Sequence, residues 1–295
     1  MMAAALFAAT TVWYVPGWMR TQEPRPEVMA CVSNAFPGAK VEFKAWDGNR
    51  LWPLALESAD KEAWRFAFEA ATLPQQEREE LVIVGHSLGG RITARVLARL
   101  AEKNIRIRQA SLLAAAIPSD DPDLRKMGGG SALPVLAVCN PDDITLRYVY
   151  ALAGGEKNVA FGANGTLEKV TNVVEHVTPA DITKQVKIDA DWAKLQFIKD
   201  IANHHEVFYF DMLRRILDGE DVSQGVIVPQ TLPTFELPVM DAGIWWGVVE
   251  EHRGWKLERN KITGHARILD PKKVRKAWGT LDDLKKSFEK VKSQL

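Results

Sequence analysis

Residues 81 to 90, LVIVGHSLGG, constrain this chain more than any other stretch. Four strongly apolar positions lead into a serine flanked by Gly85 and Gly89, Gly90 follows, and a helical pattern begins at once. Continuous apolar character suits a strand covered on both faces. In the segment after it, Ile92, Val96, Leu97 and Leu100 fall on one helical face, and Arg91, Arg95 and Arg99 fall on another. A strand that becomes a helix through glycines within so few residues implies layered α/β packing. It also lifts the serine side chain to the crest of the turn.

The same texture recurs along the chain. TVWYVPG, KVEFKAW, ELVIVG, ASLLAAAIP, PVLAVCN and TNVVEHV alternate with helical patterns that include residues 58 to 71, 90 to 103 and 209 to 217. Such alternation predicts a mostly parallel sheet of about six strands with helices on both faces. A chain of 295 residues with 46% hydrophobic content has enough apolar mass for one large core and a small appended unit. The prolines of VIVPQTLPTFELPV, from Val226, suggest a linker or a surface strap. After it, GWKLERNKITGHARILDP reads as a hairpin turning near Asn260 and Lys261, and residues 280 to 291 read as a closing amphipathic helix. The expected division is a main domain over residues 1–230, with an inserted segment over about 151–203, and a C-terminal extension over 231–295.

Composition excludes more than it selects. The formal net charge is zero, so no whole-chain field favours nucleic acid or an anionic membrane, although Lys and Arg are concentrated from Arg253 onward. The two cysteines, Cys31 and Cys139, have no metal or disulfide spacing, and a reducing, cytoplasmic setting is expected. The apolar N-terminus lacks a basic leader region and is interrupted by Pro16 and Gly17, so it reads as a strand and not as a signal peptide or a membrane span. Dinucleotide, Walker and zinc spacings are absent from the sequence, and no cofactor is expected.

A serine hydroxyl is a weak nucleophile at neutral pH, and it needs a base to take its proton and donors to hold the oxyanion that forms. Gly85, His86, Ser87, Leu88 and Gly89, between an apolar strand and an amphipathic helix, resemble the nucleophile elbow of the α/β-hydrolase superfamily, in particular its lipase and esterase members. The resemblance implies Ser87 as nucleophile and a reduced α/β-hydrolase fold, because the first apolar strand matches the one that usually comes third. It also implies that the Trp18 amide, after VWYVPG, and the Leu88 amide form the oxyanion hole. The resemblance implies an acid after the strand PVLAVC, where Asp142 and Asp143 share one turn and Asp143 better fits the superfamily's usual distance from the strand end. Asp120 and Asp121, one strand earlier, compete with them.

Six histidines are candidates for the base. His86 sits inside the elbow, His176 within a strand pattern, and His252 and His265 in the extension, which leaves the pair in ANHHEVFYF. His205 has an aromatic residue three positions on, Phe208, as relatives in the superfamily do, so it is the expected base with His204 as the alternative. A helical stripe of Trp192, Leu195, Ile198 and Ile201 just before the pair would form a pocket wall, or a lid over residues 180–203. The resemblance implies a serine hydrolase acting on a small acyl substrate, an ester, thioester or amide. The rival expectation is an inactive protein of the same fold that holds a partner through its basic extension.

Overall fold

The six apolar runs form one sheet in the computed structural model, which describes residues 9–19, 22–127, 134–141, 143, 145–150, 160–166, 170–178, 204–220, 222, 246–261 and 263–295. The strands are β1 (Thr11–Val15), β2 (Lys40–Phe43), β3 (Leu81–His86), β4 (Gln109–Leu113), β5 (Val135–Cys139) and β6 (Val173–Val177), and every pairing among them is parallel. Their order is β2-β1-β3-β4-β5-β6. β3 is buried along its whole length, as its unbroken apolar sequence requires.

Between the strands lie α1 (Pro26–Ala35), α2 (Trp52–Thr72), α3 (Gln75–Glu79), α4 (Leu88–Glu102), α5 (Pro122–Met127), α6 (Phe161–Asn164) and α7 (Glu206–Leu217), with a π-helical turn at Thr145–Val149. α1 packs on α7, while α4 packs on α2 and α5, which makes two separate helical groups. α2 begins six residues before its expected start, because Pro53 sits in its first turn, where a missing N–H costs nothing. The arginine face of α4 is not solvated. Arg91 and Arg95 both reach Asp60 of α2, at 3.2 and 2.5 Å, and Arg95 also reaches Asp121 at 3.3 Å.

The order has a topological consequence. From β1 the chain steps to β2 on one side, then returns to place β3 on the other, so the topological switch point of the sheet lies at the carboxyl ends of β1 and β3.

The C-terminal residues form a second sheet, the antiparallel meander β7 (Trp246–His252), β8 (Trp255–Asn260), β9 (Ala266–Leu269) and β10 (Arg275–Gly279), closed by α8 (Leu281–Gln294). The expected hairpin is β8 with β9, turning through residues 260–265. Leu284, Phe288 and Val291, at helical spacing on α8, pack on Trp255, Leu257, Ala266, Ile268 and Ala277. Thr280 caps that helix by accepting from the Asp283 amide at 3.3 Å. This core is distinct from that of the six-stranded sheet. The two units meet where Lys290 of α8 bonds Glu175 of the edge strand β6 at 2.8 Å and the Thr166 carbonyl at 2.5 Å. The expected strap from Val226, the helix over Trp192 to Ile201 and most of the inserted segment lie outside the described residues.

Candidate active site

Ser87 lies between β3 and α4 with φ 55° and ψ −121°, a conformation that a residue bearing a Cβ adopts only when its surroundings force it. Two things force it here. Its amide donates to the Leu113 carbonyl of β4 at 3.0 Å, and its carbonyl accepts from the Gly90 and Ala116 amides, each at 2.9 Å. The helix behind it also crosses close to β1: a Cβ on Gly89 would stand 2.0 Å from the Val15 carbonyl oxygen, so only glycine fits.

The turn after β1 closes on the same point. A Cβ on Gly17 would lie 2.9 Å from Cβ of Ser87, which puts the VPGW turn against the serine. Trp18 follows, its indole fixed by donation to the Arg50 carbonyl at 2.8 Å, and Leu88 is the first residue of α4. Neither the Trp18 nor the Leu88 amide donates to a backbone carbonyl among the described residues. Both belong to segments that border Ser87, and the Leu88 amide stands at the positive end of a helix.

Ser87 Oγ is 2.9 Å from Nε2 of His204, and Nδ1 of that ring is 2.7 Å from Oδ2 of Asp143. Asp143 is fully buried after β5, and its other oxygen, Oδ1, accepts from the Leu146 amide at 3.0 Å. Asp142 lies outside the described residues. Asp121 pairs with Arg95 and accepts from the Asp123 amide at the start of α5, while Asp120 is exposed one strand away.

The expectation for the histidine pair is corrected. His205 does not reach Ser87: it is the N-cap of α7, its Nδ1 faces the Val207 amide at 3.4 Å, and its Nε2 faces both terminal nitrogens of Arg25 at 3.3 Å. A residue whose side chain caps its own helix is turned along that helix. Its predecessor is free to reach back over the strand ends. Arg25 also pairs with the buried Glu206, which fastens the start of α7 to the segment before α1.

His86 and Tyr209 complete the surroundings. The His86 ring is 5.0 Å from the His204 ring and 5.6 Å from Tyr209, fully enclosed, with Nε2 unpartnered. Burial, reinforced by His204, pulls its imidazole down from 6.5 to about 3, so it is neutral at physiological pH. Burial of Glu206 works to raise its carboxyl, but the nearby His86, His205 and Arg25 outweigh burial and bring it down to about 2. Tyr209 donates its hydroxyl to Asp143 Oδ2 at 2.8 Å, the oxygen that also faces His204. Its sequence neighbourhood gives no sign of this, because its partner lies 66 positions away.

Among the described residues no group of three or more His, Cys, Asp or Glu side chains is placed to hold a metal, and no helix is long and apolar enough to cross a membrane.

No family model matches the chain, and no curated protein matches it. It is similar to several solved structures. Esterase PE8 shares 16% identity over 72% of this chain and 95% of its own, with a TM-score of 0.42. Est1E from Butyrivibrio proteoclasticus, solved with ferulic acid bound, shares 14% over 73% and 90%, with a TM-score of 0.41. A putative cell surface hydrolase from Lactobacillus plantarum shares 13% over 72% and 92%, also with a TM-score of 0.41. The strand order, the serine turn at the end of β3 and the placement of that turn at the switch point give the chain an α/β-hydrolase fold of six parallel strands among the described residues, extended by an antiparallel sheet and helix.

Proposed function

We propose that this chain is a serine hydrolase that cleaves a carboxylic ester, thioester or amide through an acyl-enzyme on Ser87. The observation that carries the reading is the hydrogen-bonded line from Asp143 through His204 to Ser87, at 2.7 and 2.9 Å, on a serine held at positive φ.

In this reading Ser87 Oγ attacks the acyl carbon as His204 Nε2 takes its proton. Asp143, holding Nδ1–H, keeps the ring in the tautomer whose Nε2 can accept, and it stabilises the imidazolium that forms. The Trp18 and Leu88 amides hold the oxyanion of the tetrahedral intermediate. The imidazolium then gives its proton to the departing alcohol, thiol or amine. Water, activated by the same nitrogen, releases the acid and restores Ser87. No step calls on a cofactor. Both cysteines are unpaired, which fits a reducing, cytoplasmic setting.

The test is a fluorophosphonate probe on the purified full chain, with the labelled residue located by mass spectrometry. Labelling at Ser87, absent from a folded Ser87→Ala variant, is expected. Absence of labelling in folded wild-type protein would overturn the reading in favour of a binding protein with a hydrolase fold.

A further inference from the structure

We infer that Tyr209 is a positioning residue of the hydrolytic site, acting on His204 through the one carboxylate oxygen that both of them hold. The inference rests on the hydrolase reading for what His204 does.

Oδ2 of Asp143 takes two donors, His204 Nδ1 at 2.7 Å and the Tyr209 hydroxyl at 2.8 Å, while Oδ1 takes the Leu146 amide at 3.0 Å. A carboxylate oxygen has lone pairs for both, and each donor draws on the same negative charge. In a site from which water is excluded, that sharing has consequences. Tyr209 and Asp143 are both completely buried, so the phenol cannot exchange its bond for one to solvent, and nothing but protein screens it. Burial, the Asp143 charge and the bond itself push the phenol well above its ordinary value, so it remains a donor throughout the neutral range.

Position on the helix makes this a device for holding the base. Tyr209 stands one turn into α7, whose cap is His205 and whose first residue, Glu206, is clamped by Arg25. The same short element carries His204 at its entrance. It therefore grips the acid loop at Asp143 from two places, the imidazole and the phenol. The ring of Tyr209 also lies against His86, beside His204.

The direction of the effect follows. Removing the hydroxyl leaves Asp143 Oδ2 with His204 alone and concentrates the carboxylate charge on the Nδ1–H of that ring, which strengthens the bond between them. The other groups around His204 among the described residues are Ser87 and His86 from the elbow, Asp143 from the loop after β5, and His205 and Glu206 from α7 with their partner Arg25. Of these, Tyr209→Phe removes a hydrogen bond from Asp143 alone.

The experiment is nuclear magnetic resonance of the His204 Nδ1–H proton in the full chain, with the pH dependence of fluorophosphonate labelling measured beside it. In Tyr209→Phe that proton is expected to move downfield as its bond to Asp143 strengthens, and the acid limb of labelling to shift to higher pH. Tyr209→3-fluorotyrosine keeps the ring and makes the hydroxyl a stronger donor. It should move both in the opposite direction, a reversal that a packing role would not produce, and it stands as the test if the phenylalanine variant does not fold. A proton resonance and a labelling profile that stay in place in the variants, with wild-type Ser87 labelled normally, would overturn the Tyr209 role and leave the hydrolase reading intact. Wild-type protein that does not label would overturn the hydrolase reading and this role with it.

Discussion

In the six-stranded unit the buried polar side chains Ser87, His86, Asp143 and Glu206 gather where β3, β5 and the start of α7 converge, whereas in the four-stranded unit the buried pair Glu258 and Arg267 faces itself across β8 and β9. The two groups solve the desolvation problem differently. Arg267 bonds Glu258 through Nε at 2.7 Å and Nη2 at 2.6 Å, and lies 4.0 Å from the centre of the Trp246 ring. That pair is closed on itself. At the elbow, by contrast, the line from Asp143 ends on a hydroxyl whose oxygen retains a lone pair, and His86 is left with a buried, unpartnered Nε2. In the proposed reading that open end is what leaves the Ser87 oxygen able to attack an acyl carbon.

The largest effect should separate the units outright. His204→Ala should lower turnover of an activated ester by about four to six orders of magnitude, as Ser87→Ala should, because members of such a line act together. Combining the two should cost little more than either alone. Steady-state kinetics with the double variant checks this, and additive losses would mean that His204 and Ser87 do not work on the same proton.

Next in size is a lesion in the small sheet. Arg267→Met strands Glu258 in a site with 8% exposure, at a cost of about 3 to 5 kcal/mol to the unit that contains it. Denaturant titration should show that loss, recovered largely by Glu258→Leu in the same chain. Fluorophosphonate labelling of Ser87 at 25 °C should be unchanged. A parallel fall in labelling would show that the Lys290 to Glu175 contact carries more than docking, and the contrast between the units would then be too sharp.

His205→Ala is smaller again. It removes a cap and a partner of Arg25, so about 1 to 2 kcal/mol of stability should go, with turnover kept within about tenfold of wild type. Loss of turnover equal to that of His204→Ala would reverse the assignment within the pair.

That pair shows where sequence reasoning stops. The strands were legible because continuous apolar runs admit few other readings, and the elbow because glycines at 85 and 89 answer to a close approach that the structure contains. The expectation of Asp143 rests on its distance from the end of β5, and its carboxylate stands 2.7 Å from the His204 ring. The choice between neighbouring histidines depends on which residue caps α7, and a tertiary clamp, Arg25 on Glu206, fixes that point. One local signal did exist: an acidic residue at 206 suits the first turn of a helix, which makes 205 the cap and 204 the last residue outside it. The aromatic spacing to Phe208 was the weaker clue, since that ring packs on His205 without bearing on Ser87. Tyr209 and Arg25 were beyond reach, because their roles arise from contacts that no period along the chain encodes.

The last predicted effect is one of slope and concerns the unpartnered ring. In the folded chain His86 stays neutral down to about pH 3, whereas in the unfolded chain it takes up a proton near 6.5. The unfolded state thus binds more protons between those values, so the stability due to neutral His86 is complete above pH 6.5 and is lost as pH falls toward 3. Glu206 acts in the same direction, but only below its ordinary 4.5 and down to about 2. Between pH 6.5 and 4.5, therefore, His86 is separable from Glu206. Over that window His86→Gln should make the profile of unfolding free energy flatter than that of wild type by up to about 1.4 kcal/mol per pH unit, the limit for one proton. Above pH 7 the two profiles should run parallel. Urea titrations at half-unit steps would show it, and profiles parallel throughout the window would mean that His86 is solvated, which would remove the main distinction between the open polar cluster at the elbow and the closed pair in the small sheet.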